Sequence, residues 1–310
     1  MLDSKNIISF SSKTIPVFAI LRKNLLENKN TQIIYTAKTL DVFDVDLLKR
    51  VYGYTFNIKR VENLEEVPKF DGSTIFISKQ EDLWNVNLNK NIDFIVNIHS
   101  HLGSILVVNG AQNQAYISEI QHVRRRETIV MTPANCFTVF SLLLNTLSVA
   151  SKDDHIQTNK ASVLTSIKAI TGANTKALVA SSGLSIQYAI MMGLIDDALS
   201  QHKGKAIKII VPPNCYGGTN DQARRVAACI DAVEIVDLPV DGHNNMVKSI
   251  DTVLAKIAHE DAIPYIIAEI PTNPRVEVPD LVELKNVLSA KRTTSNGKNA
   301  IDPVFILDQT

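Results

Sequence analysis

Several short polar stretches in the second half of the sequence combine residue types that can bind a charged, planar ligand. The first is SSG at residues 181–183, where Ser182 and Gly183 open a predicted helix. Free N–H groups and the positive end of the helix dipole can bind an anion such as phosphate there, and Gly183 lets the backbone approach it closely. The same residues also form an ordinary helix N-cap turn, so this stretch alone does not distinguish the two roles.

Two further stretches follow predicted strands. Tyr216 precedes two glycines, and its ring could stack on a planar ligand or simply pack half-buried against the protein. Pro271 and Pro274 predict a rigid turn that presents Asn273 as a directed donor to a phenolate or carboxylate oxygen. An ordinary asparagine turn is the alternative, but it does not account for Glu269 just before the turn.

Asp308 ends the apolar run VFILD, which predicts a buried strand with a carboxylate at its tip. A buried carboxylate needs a cationic or hydrogen-bonding partner, because its charged form is otherwise strongly disfavoured. The composition of this strand therefore predicts that Asp308 meets a ligand or a basic group.

The elements that position these residues are predicted strands alternating with amphipathic helices. In the second half the predicted strands are TKALVA, KAIKIIVP, AVEIVDLP, PYIIAEIP and PVFILD. Near-continuous apolar strands separated by helices indicate a mostly parallel sheet with helices on both faces. Ligands bind such sheets at the carboxyl ends of the strands, where the polar stretches lie.

The first half predicts a smaller α/β segment. Its predicted strands include TQIIYTA, STIFISK and DFIVNIHS, and residues 41–53 predict a helix that ends at a glycine. A polar stretch at residues 152–160 is the predicted boundary, which divides the chain into domains 1–150 and 151–310. The sequence assigns no role to the first of these domains.

Composition excludes several classes of protein. The 310 residues are 45% hydrophobic and 21% charged, with 32 basic and 32 acidic side chains, so charge favours neither a nucleic-acid nor a membrane partner. Three scattered cysteines predict neither a disulfide framework nor a zinc site, and they are typical of a cytoplasmic protein. No signal peptide or membrane helix is predicted.

Taken in order, the motifs SSGL, CYGGT, EIPTNP and ILDQT resemble the Cys/Met-metabolism family of pyridoxal phosphate (PLP) enzymes, which holds cystathionine γ-synthases and cystathionine β- and γ-lyases. The resemblance runs from about residue 158 to residue 310. It implies the large domain of PLP fold type I, similar to aspartate aminotransferase, preceded by the smaller α/β segment. It also implies β- or γ-elimination, or γ-replacement, on a cystathionine-like amino acid in a homodimer or homotetramer.

The resemblance also assigns roles to individual residues. Tyr216 would stack on the pyridine ring, Asn273 would lie near the 3′-oxygen of PLP, and Asp308 would pair with the pyridine nitrogen. Tyr216 and Asp308 are therefore the expected catalytic residues, and no metal is expected. The residues expected to hold the phosphate are Ser182, Gly183 and Leu184.

The sequence departs from the family pattern at two points. The Schiff-base lysine, expected after the Asp308 strand, has no match, so we expect these 310 residues to be the N-terminal part of a longer enzyme and inactive alone. Asp153 and His155 stand where the family has a tyrosine and an arginine that reach the phosphate of a neighbouring subunit. Another fold-type-I activity, such as an aminotransferase, and a non-catalytic interaction or regulatory domain are the alternatives.

Three other residues could do chemistry but favour structural roles. His99 and His101 would share one face of a strand, as a metal pair requires, but no acid or cysteine with suitable spacing accompanies them. Cys136 leads into an apolar helix without a nearby base, which favours a buried thiol over a nucleophile.

Overall fold

A computed structural model describes residues 4–79, 89–144, 146, 155–240, 245–273 and 275–309. The strands are β1 (Ile7–Phe10), β2 (Thr31–Tyr35), β3 (Asn57–Arg60), β4 (Ser73–Lys79), β5 (Phe94–His99), β6 (Gly103–Val108), β7 (Ile207–Val211), β8 (Val233–Asp237), β9 (Ile263–Glu269) and β10 (Val304–Asp308). The helices are α1 (Ile15–Leu26), α2 (Val45–Arg50), α3 (Ala115–Glu127), α4 (Pro133–Leu143), α5 (Ile156–Thr171), α6 (Gly183–Gln201), α7 (Gly217–Ala227), α8 (Met246–His259) and α9 (Leu281–Ser289).

Contacts divide the chain into two compact units. Unit 1 comprises Met1–Phe43 and Thr55–Ile186, and unit 2 comprises Asp44–Tyr54 and Gln187–Thr310. The predicted α/β class is confirmed, because each unit has its own sheet. The predicted domain boundary at residues 150 and 151 lies outside the described residues.

Unit 1 is built on a six-stranded mixed sheet in the order β1-β6-β5-β4-β2-β3. Strands β3, β2, β4 and β5 run parallel, whereas β6 is antiparallel to both β5 and β1. Residues 73–78 and the whole of β5 are buried, as near-continuous apolar strands in the centre of a covered sheet should be. The predicted strands STIFISK and DFIVNIHS are thus confirmed.

Each face of the unit 1 sheet is covered. On one face Phe94 contacts Tyr116 of α3, with ring centroids 4.8 Å apart. Because neighbouring residues of a strand point to opposite faces, Ile95 lies on the other side, where it belongs to an apolar cluster with Phe76 and Val67. Both faces therefore exclude water, and polar groups inside them depend on internal partners.

Unit 2 contains a four-stranded sheet in the order β10-β9-β7-β8, in which all neighbouring strands are parallel. Helix α8 buries Val247, Ile250, Leu254 and Ile257 at helical spacing against one face. On the opposite face the hydroxyl of Tyr265 in β9 donates to the backbone oxygen of Leu194 in α6, at 3.0 Å. Helices cover both faces of this sheet, so the predicted parallel layer is confirmed.

Three local predictions were wrong. The stretch TKALVA forms no strand, and its Leu178 and Val179 are 72% and 56% exposed. Strand β10 is not buried: it lies at the sheet edge with Leu307 46% exposed. The helix predicted for residues 41–53 is shorter, because Asp44 caps it by accepting a hydrogen bond from the backbone N–H of Leu47.

Within the described part of the chain, no helix combines the length and the apolar character needed to cross a lipid bilayer.

A buried ion pair in unit 1 gives a first prediction. Arg22 of α1 donates to Glu127 of α3, and their side chains are 2% and 1% exposed. Arg22→Ala would leave the Glu127 carboxylate buried without this partner, so we expect the free energy of unfolding to fall by about 3–5 kcal/mol in urea denaturation. Lys79→Ala, which breaks the exposed Lys79–Asp41 pair, is the matched control and should change it little. An equal effect of both changes would contradict the prediction.

His99 gives a second prediction. Burial lowers its pKa to about 4, so the folded chain holds this side chain neutral, whereas the unfolded chain titrates near 6.5. Above pH 6.5 the side chain is neutral in both the folded and the unfolded chain, so holding it neutral costs little stability. As the pH falls towards 4, the unfolded chain binds the proton first, and the free energy of unfolding falls. We expect the free energy of unfolding to drop by about 2 kcal/mol more between pH 7 and pH 5 in the native chain than in His99→Gln. Identical pH profiles for the two chains would contradict this.

Candidate functional site

The carboxylate of Glu269 connects the turns that follow two strands of unit 2. Glu269 is the last residue of β9 and is only 4% exposed. Its Oε2 accepts hydrogen bonds from the backbone N–H of Tyr216, at 3.1 Å, and of Asn273, at 3.3 Å. One side chain thus fixes the turn after β7 to the turn after β9.

Asp308 ends the next strand of the same sheet. It pairs in register with Glu269, and the backbone N–H of Ile270 donates to the Asp308 carbonyl at 3.0 Å. Paired residues on neighbouring parallel strands project from the same face, so the two carboxylates lie on one side of the sheet at its carboxyl edge. Three predicted residues of unit 2, namely Tyr216, Asn273 and Asp308, are therefore brought to one edge.

Carboxylates add negative charge to this edge. Burial, followed by the charges of Glu269 and Asp308, raises the pKa of the Cys215 thiol to about 11. The thiol is therefore protonated at neutral pH. Burial disfavours any charged group, whereas the two carboxylates disfavour an anion and favour a cation.

Tyr216 presents its side chain beside this edge. It is the N-cap residue of α7 and is 45% exposed, and its side chain makes no capping hydrogen bond. Its backbone N–H is instead bound by Glu269, whose negative charge is favourable at a helix N-terminus. The ring is accessible for stacking. The same exposure also fits the alternative, in which Tyr216 is a half-buried residue that packs against the protein.

The predicted phosphate turn belongs to unit 1. Ser182 Oγ accepts from the backbone N–H of Ser185 at 3.1 Å, and Ser185 Oγ accepts from the N–H of Ser182 at 2.8 Å. These reciprocal bonds form an N-cap for α6, which is the structural alternative for this stretch. A Cβ added to Gly183 would meet no atom within 4 Å, so the backbone there is open to a ligand. Leu184 follows it in the first turn, and convergence of this turn with the unit 2 edge stays a prediction.

The other candidate residues occupy separate environments. Asp153 lies outside the described residues, whereas His155 is the N-cap residue of α5 and is exposed. His99 is fully buried, and His101 is exposed with a φ of 64°. Among the residues that the structure describes, no three His, Cys, Asp or Glu side chains are grouped so that they could hold a metal ion.

Cys136 is a free, partly buried cysteine near the start of α4, and its Sγ lies 3.7 Å from the backbone oxygen of Met131. The thiol is therefore only partly buried, whereas the sequence favoured a buried one.

The role of Glu269 as the acceptor that joins two turns was not predicted from the sequence. An acid at the last position of an otherwise apolar strand was the available signal, because such a group must find hydrogen-bond donors when it is buried.

The chain matches no protein-family model and no curated protein. The resemblance to PLP enzymes therefore stays a prediction that depends on the residues themselves.

Glu269 gives a third prediction. Glu269→Ala would leave the N–H groups of Tyr216 and Asn273 without their acceptor, so we expect the free energy of unfolding to fall by about 2–3 kcal/mol in urea denaturation. Glu269→Gln keeps an acceptor oxygen of the same reach and should lose less than half as much. If the Ala and Gln variants were equally destabilised, hydrogen bonding by this side chain would not be what holds the turns.

Proposed function

We propose that this chain supplies the cofactor-binding part of a PLP-dependent enzyme of sulfur amino-acid metabolism. The reaction would be a β- or γ-elimination, or a γ-replacement, on a cystathionine-like amino acid. The observation that supports this is the arrangement around Glu269, which brings Tyr216, Asn273 and Asp308 to one carboxyl edge of a parallel sheet. Ligand sites of parallel sheets form at such edges.

The residues of this edge fit the ring of PLP. A pyridine nitrogen is more easily protonated beside carboxylates, and those of Glu269 and Asp308 both contribute to the raised pKa of Cys215. Asp308 would hold the proton on that nitrogen, and Asn273 would donate to the phenolic oxygen. The exposed ring of Tyr216 would lie against the face of the cofactor. When bound, PLP supplies an electron sink for the negative charge formed at the substrate's α-carbon.

Glu269 would act as a positioning residue. Its hydrogen bonds are to backbone N–H groups, so it fixes the turns that carry Tyr216 and Asn273, while its charge adds to the negative charge of this edge. On the phosphate side, the open backbone at Gly183 supports an anion role for the first turn of α6. In this proposal the enzyme is a homodimer or homotetramer, because the active sites of the family that it resembles form between subunits.

A non-catalytic role is the second candidate. The hydroxyl of Ser182 is used to cap α6, and His155 stands where the family has an arginine for phosphate. Both observations favour a homologue in which the cofactor site has become an interaction or regulatory surface. An aminotransferase would share the ring-binding residues and is not distinguished by them.

The two candidates are separated by a ligand that needs no lysine. Pyridoxine 5′-phosphate has the ring and phosphate of PLP but no aldehyde, so it cannot react with surface amines. We expect saturable binding in equilibrium dialysis, weakened about 10- to 100-fold by Asp308→Asn, which removes a charge-assisted hydrogen bond. Tyr216→Ala should weaken binding about 2- to 10-fold through lost stacking, whereas Tyr216→Phe should not.

Lys291→Gln is the control, because Lys291 is 80% exposed in an ion pair with Asp302, far along the chain from the turns after β7 and β9. The PLP proposal fails if the native chain does not bind pyridoxine 5′-phosphate, or if Asp308→Asn binds it as well as the native chain does. Either result would favour the non-catalytic candidate.

A further inference from the structure

A cavity of about 280 Å³ lies at the carboxyl edge of the unit 2 sheet, and nothing in the proposed PLP role uses it. Its walls include Asn214, Val240 and Thr272, which follow β7, β8 and β9 respectively, and Met246 at the start of α8. The residues that follow three adjacent parallel strands therefore line one cavity. Small-molecule sites form at this edge of such sheets.

Among the described residues, two charged side chains of opposite sign line this cavity. Arg275 and Glu277 are 60% and 56% exposed, and Arg275 Nη1 lies 4.0 Å from Glu277 Oε1. An exposed pair at this distance contributes little to stability, and both charges can also interact with a ligand. Arginine has five N–H donors in a fork that matches a carboxylate, which makes Arg275 the natural partner for an acidic group.

The turn that carries these charges is held by its own hydrogen bonds. The backbone N–H of Glu277 donates to Thr272 Oγ1 at 3.0 Å, and the N–H of Thr272 donates to the Glu277 carbonyl at 3.1 Å. Arg275 lies between these two residues in the chain, so the bases of both charged side chains are fixed. A preorganised pair loses less entropy when it binds a ligand.

The helix end in the wall does not serve as an anion site. Asn245 Oδ1 accepts hydrogen bonds from the backbone N–H groups of Val247 and Lys248, at 2.8 and 3.3 Å, so the first turn of α8 is already capped. A carboxylate in the cavity would therefore bind Arg275 and not the helix.

The remaining wall is mixed. Val240, Met246 and Val278 supply apolar side chains, and Asn214, Asn245 and Thr272 supply polar ones. The apolar side chains can contact the hydrocarbon part of a ligand.

We propose that this cavity binds a free apolar α-amino acid as a zwitterion. The carboxylate binds Arg275, the ammonium group binds Glu277, and the side chain contacts Val240, Met246 and Val278. A cavity of about 280 Å³ has room for one small amino acid. Binding here does not depend on PLP.

The probe is L-leucine, titrated calorimetrically into the 310-residue chain without any cofactor. L-Leucine has no sulfur or leaving group, so it does not report on the reaction proposed above. We expect saturable binding, and binding at least about tenfold weaker for 4-methylpentanoate, which lacks the ammonium group, and for 3-methylbutylamine, which lacks the carboxylate. Arg275→Gln and Glu277→Gln should each weaken L-leucine binding by about tenfold or more, because each removes one charged partner.

Lys291→Gln is the matched control, since it removes an exposed cation of unit 2 that is not among the residues lining the cavity. Arg275→Gln should bind pyridoxine 5′-phosphate like the native chain, so failure of one proposal is not failure of the other. The amino-acid site is refuted if L-leucine does not bind, if Arg275→Gln binds it as the native chain does, or if 4-methylpentanoate binds equally well.

Discussion

The unit 2 edge depends on one constraint, which is that the carboxylate of Glu269 is buried at the end of an apolar strand. A buried carboxylate is stable only with hydrogen-bond donors around it, and here the donors are backbone N–H groups from two different turns. Satisfying this one group therefore fixes the turn after β7 relative to the turn after β9. The exposed ring of Tyr216 and the amide of Asn273 owe their positions to an interaction in which neither side chain takes part.

Unit 1 satisfies its buried charges differently. Arg22 and Glu127 neutralise each other between two helices, whereas His99 is held without charge by burial alone. Both solutions keep the interior of unit 1 free of unpaired charge, and the second makes stability sensitive to mild acid. The two units thus differ in how they accommodate polar residues in central positions.

Much of the fold could be predicted from the sequence, because apolar runs of five to seven residues between amphipathic helices specify a parallel layer. The run at residues 263–269 became a fully buried central strand of the unit 2 sheet as expected. The strand predicted for TKALVA does not form, because an apolar run alone does not specify a strand with which it can pair. Its Leu178 and Val179 are exposed and pair with none of the described strands. The sequence also does not show where a strand lies in its sheet: the apolar run of β10 predicts a buried strand, but β10 lies at an edge.

For the candidate site, the sequence predicted that three residues lie at one edge of the sheet. The hydrogen bonds of Glu269 and the cavity could not be predicted, because both depend on the geometry of turns, which no sequence motif specifies.

The state of Cys215 has a consequence for any reactive ligand at this edge. With a pKa of about 11, only about one thiol in ten thousand is ionised at pH 7, and the neutral form is a poor nucleophile and a poor target for oxidants. An electrophilic carbonyl held near Tyr216 would therefore not be scavenged as a thiohemiacetal by the sulfur next to it in the chain. Burial, together with the carboxylates of Glu269 and Asp308, thus keeps this thiol protonated and unreactive.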